Sequence, residues 1–298
     1  MSKSKMSTTL TETRLEEQIE HLLEKNGPER NEYKMILQLI DKIRPEDIFN
    51  FREIMQPILN PNTIIGFSYT KPFGYNGDFF IIEKIYQHYV NPDKQYKRWD
   101  EFFHTFPAAI AVVNRKELAI NVLRQLNQNA SEDQKDVLIL GSGPVTEVFE
   151  YFQDNDENRL YFDLLDLDKR AIAYAKQKHR KNLQFMEFYN HNVIRFDPGK
   201  QYDLIWSAGL FDYFKDKHFV YMVKKYYEFV KPGGEMIIGN FNVENPSRKI
   251  MEVLGDWFLY HRSEKELKTF ATRAGIPAEK VEVIKEPLGI NLFLRVKK

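Results

Sequence analysis

The stretch Asp136-Val-Leu-Ile-Leu-Gly-Ser-Gly-Pro-Val-Thr-Glu147 constrains this chain more than any other. Its apolar run, 137–140, breaks at once into Gly141-Ser142-Gly143-Pro144, and a helical pattern resumes at Thr146. Strand, glycine turn, helix is the arrangement that brings a ligand's polar end to bare backbone at a helix N-terminus.

Downstream, the period alternates between strand and helix, which implies a mainly parallel sheet covered on both faces. Strands are expected at 137–140, 160–167, 183–188, 202–207, 235–240, 280–284 and 291–296, the last two as an antiparallel hairpin. Helices are expected at 146–153, 169–178, 217–230, 247–260 and 264–273, with a capping box from Ser263 and Glu266 on the last. Upstream, the pattern reads as packing helices as far as about residue 55, after nine residues expected to be disordered. Residues 60–78 break it with a run of glycine, proline and aromatic residues, read as a long loop over the acceptor. Asp78 is placed to cap a helix from 79, and a long helix from Pro107 carries Ile110, Val113, Leu118, Ile120, Leu123 and Leu126 on its apolar face. The polar connector at 127–133 then sets the expected boundary: a helical region at 1–128 and a ligand-binding core at 129–298.

Bulk numbers exclude several classes. Lysine plus arginine balances aspartate plus glutamate at 43 each, which argues against a nucleic-acid partner. The absence of cysteine removes disulfides, thiolate zinc sites and a thiol nucleophile. The polar start suggests no signal peptide, and no apolar run approaches the roughly 18 residues of a membrane span, so a cytoplasmic protein is expected. No His-x-x-x-His pair and no Gly-x-x-x-x-Gly-Lys loop occurs, so neither a metal nor nucleotide hydrolysis is expected.

In an open parallel sheet, ligands bind beyond the carboxyl ends of the strands. The first strand offers Gly141, Ser142 and Gly143 there, and the second offers Asp166, 23 residues past Gly143. A carboxylate about 20 residues beyond the glycine turn accepts hydrogen bonds from a ribose diol. Asp168 suits a helix cap instead, and Asn192 suits an adenine edge. A dinucleotide wants a third glycine where Thr146-Glu147 stands. An acid in the first helical turn repels a pyrophosphate but suits a ligand ending in an ammonium group. S-adenosylmethionine is such a ligand, with S-adenosylhomocysteine as its product.

Residues 136–240 resemble the class I S-adenosylmethionine-dependent methyltransferases. The resemblance rests on Leu140-Gly-Ser-Gly143, Asp166, Asn192-Val193, Asp203-Leu-Ile-Trp-Ser207 and Lys231-Pro-Gly-Gly234. It implies a Rossmann-like α/β sheet of seven strands in the order 3-2-1-4-5-7-6, here with a helical N-terminal lid. It also implies cofactor contacts from Gly141, Ser142, Gly143, Glu147, Asp166, Leu167, Asn192, Val193, Ser207 and Ala208. A narrower likeness, through Lys71-Pro-Phe-Gly-Tyr-Asn-Gly-Asp78, Ser207-Ala-Gly-Leu-Phe-Asp-Tyr213, Gly239-Asn-Phe241 and His261-Arg262, is to a bacterial subgroup described as forming 3-hydroxypalmitic acid methyl ester. Other members of it act on small molecules of secondary metabolism. The sequence departs from the class pattern at Ile139, where an acid usually supports the methionine end, and Glu147 is the candidate replacement.

Methyl transfer from a sulfonium is an in-line displacement that depends chiefly on holding the acceptor close and aligned. A carboxylate acceptor needs positioning donors, and Tyr69, Lys71, Tyr213, Asn240 and Arg262 are the candidates. A hydroxyl or ammonium acceptor needs a proton removed, for which Asp78, His191 and Asp212 are available, while Tyr75 is a further catalytic candidate as a phenolic donor that positions the acceptor. The expectation is therefore O-methylation of a small molecule at a carboxyl or hydroxyl, with N-methylation of an amine as the alternative. A nicotinamide-dependent oxidoreductase and a non-catalytic adenosine-ligand binder are the rivals. Monomer and homodimer are both left open.

Overall fold

The computed structural model describes residues 10–130, 133–154 and 157–298. The expected disorder at 1–9 and part of the connector at 127–133 lie outside them. In chain order the helices are α1 (Leu10–Glu24), α2 (Tyr33–Asp41), α3 (Ile48–Ile54), α4 (Ile64–Thr70), α5 (Phe79–Tyr86), α6 (Lys94–Phe103), α7 (Pro107–Gln128), α8 (Thr146–Gln153), α9 (Lys169–Lys178), α10 (Asp216–Glu228), α11 (Arg248–Val253) and α12 (Glu264–Arg273). The strands are β1 (Lys135–Leu140), β2 (Leu160–Asp166), β3 (Met186–Asn190), β4 (Tyr202–Ser207), β5 (Val230–Phe241), β6 (Val281–Lys285) and β7 (Asn291–Lys297). No helix among the described residues is long and apolar enough to cross a membrane.

The chain divides into two compact units. One takes the described residues up to Phe106 together with Ser247–Phe258, and the other takes Pro107–Pro246 and Leu259–Lys298. The division differs from the boundary expected at 128/129, because α7 packs with α8 and β7 and so belongs to the sheet.

The second unit is a seven-stranded sheet in the order β3-β2-β1-β4-β5-β7-β6. β7 runs antiparallel to both of its neighbours, and the other pairs are parallel. Period-2 alternation sends Val137 and Ile139 to one face, with Ala119, Leu123, Val148, Tyr151 and Ala175 of α7, α8 and α9. Leu138 and Leu140 go to the other face, with Phe219, Met222 and Tyr226 of α10 and Leu267 and Phe270 of α12. Lys231 also bridges Asp136 and Asp203 at 2.8 and 2.7 Å, but the lysine is a third exposed. Such a pair contributes about 0–1 kcal/mol, against roughly 1.5–3 kcal/mol for each fully buried Leu or Phe. The apolar faces therefore hold the strands in place.

Four expected elements differ. The strand expected at 183–188 begins only at Met186, because Leu183–Phe185 forms a 3-10 turn. Residues 60–78 are not one loop: α4 occupies 64–70, with Thr63 Oγ1 accepting from the Gly66 N–H at 2.9 Å as its cap. A Cβ on Gly66 would lie 2.2–2.4 Å from the backbone of Ile58 and Asn60, so this glycine marks close packing and not a turn. The helix expected over 247–260 stops at Val253. Beyond it the backbone finds other partners: the Tyr260 N–H donates to the Asp212 carbonyl and the Arg262 N–H to the Phe241 carbonyl, both at 2.8 Å. Finally, β5 begins at Val230, with a register shift that absorbs Pro232-Gly233-Gly234 as an irregularity inside the strand.

Candidate active site

The end of β1 is shaped by three left-handed residues. Gly141, Gly143 and Val145 have φ of 65°, 56° and 54°. The N–H groups of Gly141 and Ser142 both donate to the Leu165 carbonyl, at 2.9 and 3.0 Å, which anchors the turn to β2. His179 Nε2 meets the Val145 carbonyl at 2.9 Å and holds the third of these residues at the entry to α8. Glu147 is buried in the first turn of α8. Ile139, where the class pattern has an acid, is core.

Asp166 closes the turn from the β2 side. Its Oδ2 accepts from the Gly143 N–H and its Oδ1 from the Asp168 N–H, both at 2.8 Å. Burial raises its pKa above the usual carboxylate value, while those two N–H groups pull it down. A carboxylate offers about four acceptor positions, so two backbone donors leave capacity for a diol. Asp168 caps α9 by accepting from the Arg170 N–H. Leu167 is two-thirds exposed, and its carbonyl accepts from Asn190 Nδ2 at 2.8 Å.

Asn192 Oδ1 accepts from the Ile194 N–H at 2.8 Å in an exposed turn. His191 beside it is also exposed, its ring 6.0 Å from that of Phe196. The Val193 carbonyl takes the Tyr226 hydroxyl at 2.8 Å. At the end of β4, Ser207 Oγ donates to the Leu140 carbonyl at 3.0 Å and ties β4 to β1. The Ala208 carbonyl lies so close to Gly239 that a Cβ there would stand 2.3 Å from it.

Beyond Ala208 the chain forms a short 3-10 turn, Phe211–Tyr213, that buries Asp212 and leaves Tyr213 exposed. Asp212 Oδ1 accepts from the Phe241 N–H at 2.7 Å. Burial pushes its carboxyl up to about 7, against the opposing pull of that N–H and of Arg115 and Arg262. Arg262, 2% exposed, donates to Asn240 Oδ1 at 2.7 Å, to the Phe211 and Phe214 carbonyls, and to Asp216 Oδ1 at 3.0 Å. Asn240 passes its own amide protons to the Phe241 and Tyr260 carbonyls at 2.9 and 2.8 Å. Arg262 and Asn240 thus clamp the chain after β4 to the end of β5.

The other candidates lie in the first unit. Asp78 is 2% exposed and caps α5, accepting from the Phe80 and Ile81 N–H groups at 2.9 and 3.0 Å. Lys71, left-handed at φ 48°, ends α4 and pairs with Asp256, which also takes Arg52 at 3.0 Å. The Arg52 guanidinium sits 5.2 Å over the Tyr69 ring, and Tyr75 is exposed. The aromatic residues of this stretch pack on one another, as Phe73 does on Phe79 at 5.0 Å.

One residue of the site escapes the sequence pattern. Arg115 of α7 is 5% exposed, and its Nη1 would lie 3.0 Å from a Cβ on Gly209, just past β4. The apolar pattern of α7 holds at Ile120 and Leu123, which are buried, but Ile110 is exposed and the buried side also takes in Ala108, Ala111, Arg115 and Ala119. An arginine four residues from an alanine on either side was the available signal.

The family profile described as "Methyltransferase domain" matches residues 138–236. No curated protein matches the chain. Among solved structures, a Bordetella parapertussis protein described as a possible exported protein superposes with a TM-score of 0.62 at 14% identity, covering 74% of this chain and 79% of that one. A Nostoc punctiforme PCC 73102 protein, provisionally described as an O-methyltransferase, gives 0.51 at 14%, covering 64% and 58%. The CMeT domain of the citrinin polyketide synthase gives 0.52 at 15%, covering 66% and 58%. These likenesses establish the fold. Residues 138–236 match a methyltransferase domain, and the whole sheet, from β1 to β7, has the class I strand order. The chain thus carries an S-adenosylmethionine-dependent methyltransferase domain.

Proposed function

We propose that the chain methylates an oxygen, carboxyl or hydroxyl, of a small-molecule acceptor in the cytoplasm. The observation that carries this reading is the charge beyond β4: two buried arginines, Arg115 and Arg262, act on one buried carboxylate, Asp212. Such surroundings favour an anionic or neutral acceptor over an ammonium. The adenosine would be held by the 141–143 turn, with Asp166 on the ribose and Glu147 toward the amino group. Bound there, S-adenosylmethionine supplies an electrophilic methyl group and leaves as S-adenosylhomocysteine.

A carboxylate acceptor needs no base, only alignment. A hydroxyl acceptor loses a proton, and Asp212 titrates where it can take one at neutral pH. Incubation with methyl-labelled S-adenosylmethionine and a cell extract, followed by mass identification of the labelled product, tests the reading. A labelled ester or ether of low mass supports it. An N-methylated product or a labelled macromolecule overturns it.

A further inference from the structure

Arg115 is a buried charged group whose Nε has no hydrogen-bond partner. No carboxylate lies within 4 Å of its guanidinium among the described residues, and its Nε is sealed from solvent with nothing to donate to. Buried charges are ordinarily paired, because taking one out of water without a partner is strongly unfavourable. Asp212 acts on Arg115 only at longer range and is only partly ionised near neutrality. Arg262 spends its own terminal donors on Asn240, Phe211, Phe214 and Asp216.

A second orphan lies in the same neighbourhood. Asn291 is fully buried, and both polar atoms of its side chain lack partners. Its backbone N–H donates to Glu286, which also takes the amide of Asn114, the residue before Arg115. In the sheet Asn291 pairs with Phe241, the residue that donates to Asp212. Gly209 makes room for the guanidinium, and the next residue, Leu210, would touch a Cβ on Gly141 at 3.1 Å. Contacts thus run from Arg115 through Gly209 and Leu210 to the glycine turn after β1.

We propose that Arg115 binds a ligand carboxylate beside Gly209, at the acceptor end of the site. An arginine–carboxylate pair is short, charge-assisted and often bidentate, and it would supply the close acceptor that this guanidinium lacks. The carboxylate comes from the acceptor or from the methionine end of the cofactor, where Ile139 leaves the usual acid missing. The inference rests on the methyltransferase site described above and narrows its substrate class.

Calorimetry on the full chain separates the two sources. S-adenosylhomocysteine is compared with 5′-methylthioadenosine, which lacks the amino-acid carboxylate, and decanoate is then titrated onto protein saturated with S-adenosylhomocysteine. Arg115→Gln is expected to weaken S-adenosylhomocysteine or decanoate by about tenfold or more, with 5′-methylthioadenosine unchanged. Arg115→Lys keeps the charge but loses the bidentate fork, and is expected to weaken the same ligand; it serves if Arg115→Gln does not fold. Unchanged affinity for both carboxylates in the variants overturns the proposal. So does equal weakening of S-adenosylhomocysteine and 5′-methylthioadenosine, which marks a structural role. A wild-type protein that binds those two equally and decanoate not at all also overturns it. Failure of the O-methylation reading would appear in the identity of the labelled product and leaves these titrations interpretable.

Discussion

Asp166 Oδ2 accepts a hydrogen bond from the Gly143 N–H at 2.8 Å, so the carboxylate at the end of β2 holds open the glycine turn at the end of β1. A single side chain thereby fixes the shape of the turn and, in the function proposed above, also binds the ribose. Asp166→Ala removes both at once. A hydrogen bond to a charged group is worth about 1.5–3 kcal/mol, so S-adenosylhomocysteine affinity is expected to fall roughly ten- to a hundredfold. Calorimetry on the purified variant measures this, and an affinity within twofold of wild type contradicts it.

Gly141 is constrained twice. Its φ of 65° is left-handed, and a Cβ would meet Leu210 Cβ at 3.1 Å. The backbone term alone costs an alanine about 1–2 kcal/mol. Gly141→Ala is therefore expected to lower the Tm and cofactor affinity together. Adding Leu210→Ala removes the contact but not the strain, so the pair should recover only part of the loss. Full recovery in thermal denaturation would show that the contact alone matters.

The sheet was legible in the sequence because its strands are short apolar runs punctuated by glycine and a capping aspartate. Asp168 and Ser263 cap α9 and α12 as their positions imply. The strand order came from resemblance, since no periodicity encodes it. What was misread has physical causes. Gly66 and the aromatic residues around it look like a loop, but they pack against backbone and one another, and the capping Thr63 was the overlooked sign of α4. The 247–260 pattern is apolar enough for a helix, yet the helix stops at Val253, and at its far end the Tyr260 N–H bonds to the 3-10 turn instead. Arg115 was hidden because the buried side of α7 mixes alanines with Val112, Ile120 and Leu123, and a cation among them breaks the apolar pattern.

Asp78 separates a capping role from a chemical one. Its carboxylate accepts from two N–H groups at the start of α5. Asp78→Ala is expected to cost about 1–2 kcal/mol of stability, while Asp78→Asn keeps an acceptor and should retain the wild-type Tm. Turnover retained by Asp78→Asn assigns the residue to the cap. Lost turnover at unchanged Tm would assign it to proton transfer.

Asp212 gives the chain a pH dependence of definite sign. Burial raises its folded pKa to about 7 from the 3.8 of a free aspartate. Between those values the folded state holds a proton that the unfolded state has released. The stabilisation from Asp212 is therefore complete below about pH 4 and is lost as pH rises through about 7. Each unit of difference corresponds to about 1.4 kcal/mol, so the loss amounts to a few kcal/mol. Asp212→Asn stays neutral and can still accept from the Phe241 N–H. Its Tm should exceed the wild-type Tm at pH 8 and approach it at pH 5. Parallel melting curves for the two proteins across that range would show that Asp212 is ionised throughout, its charge held by Arg115 and Arg262.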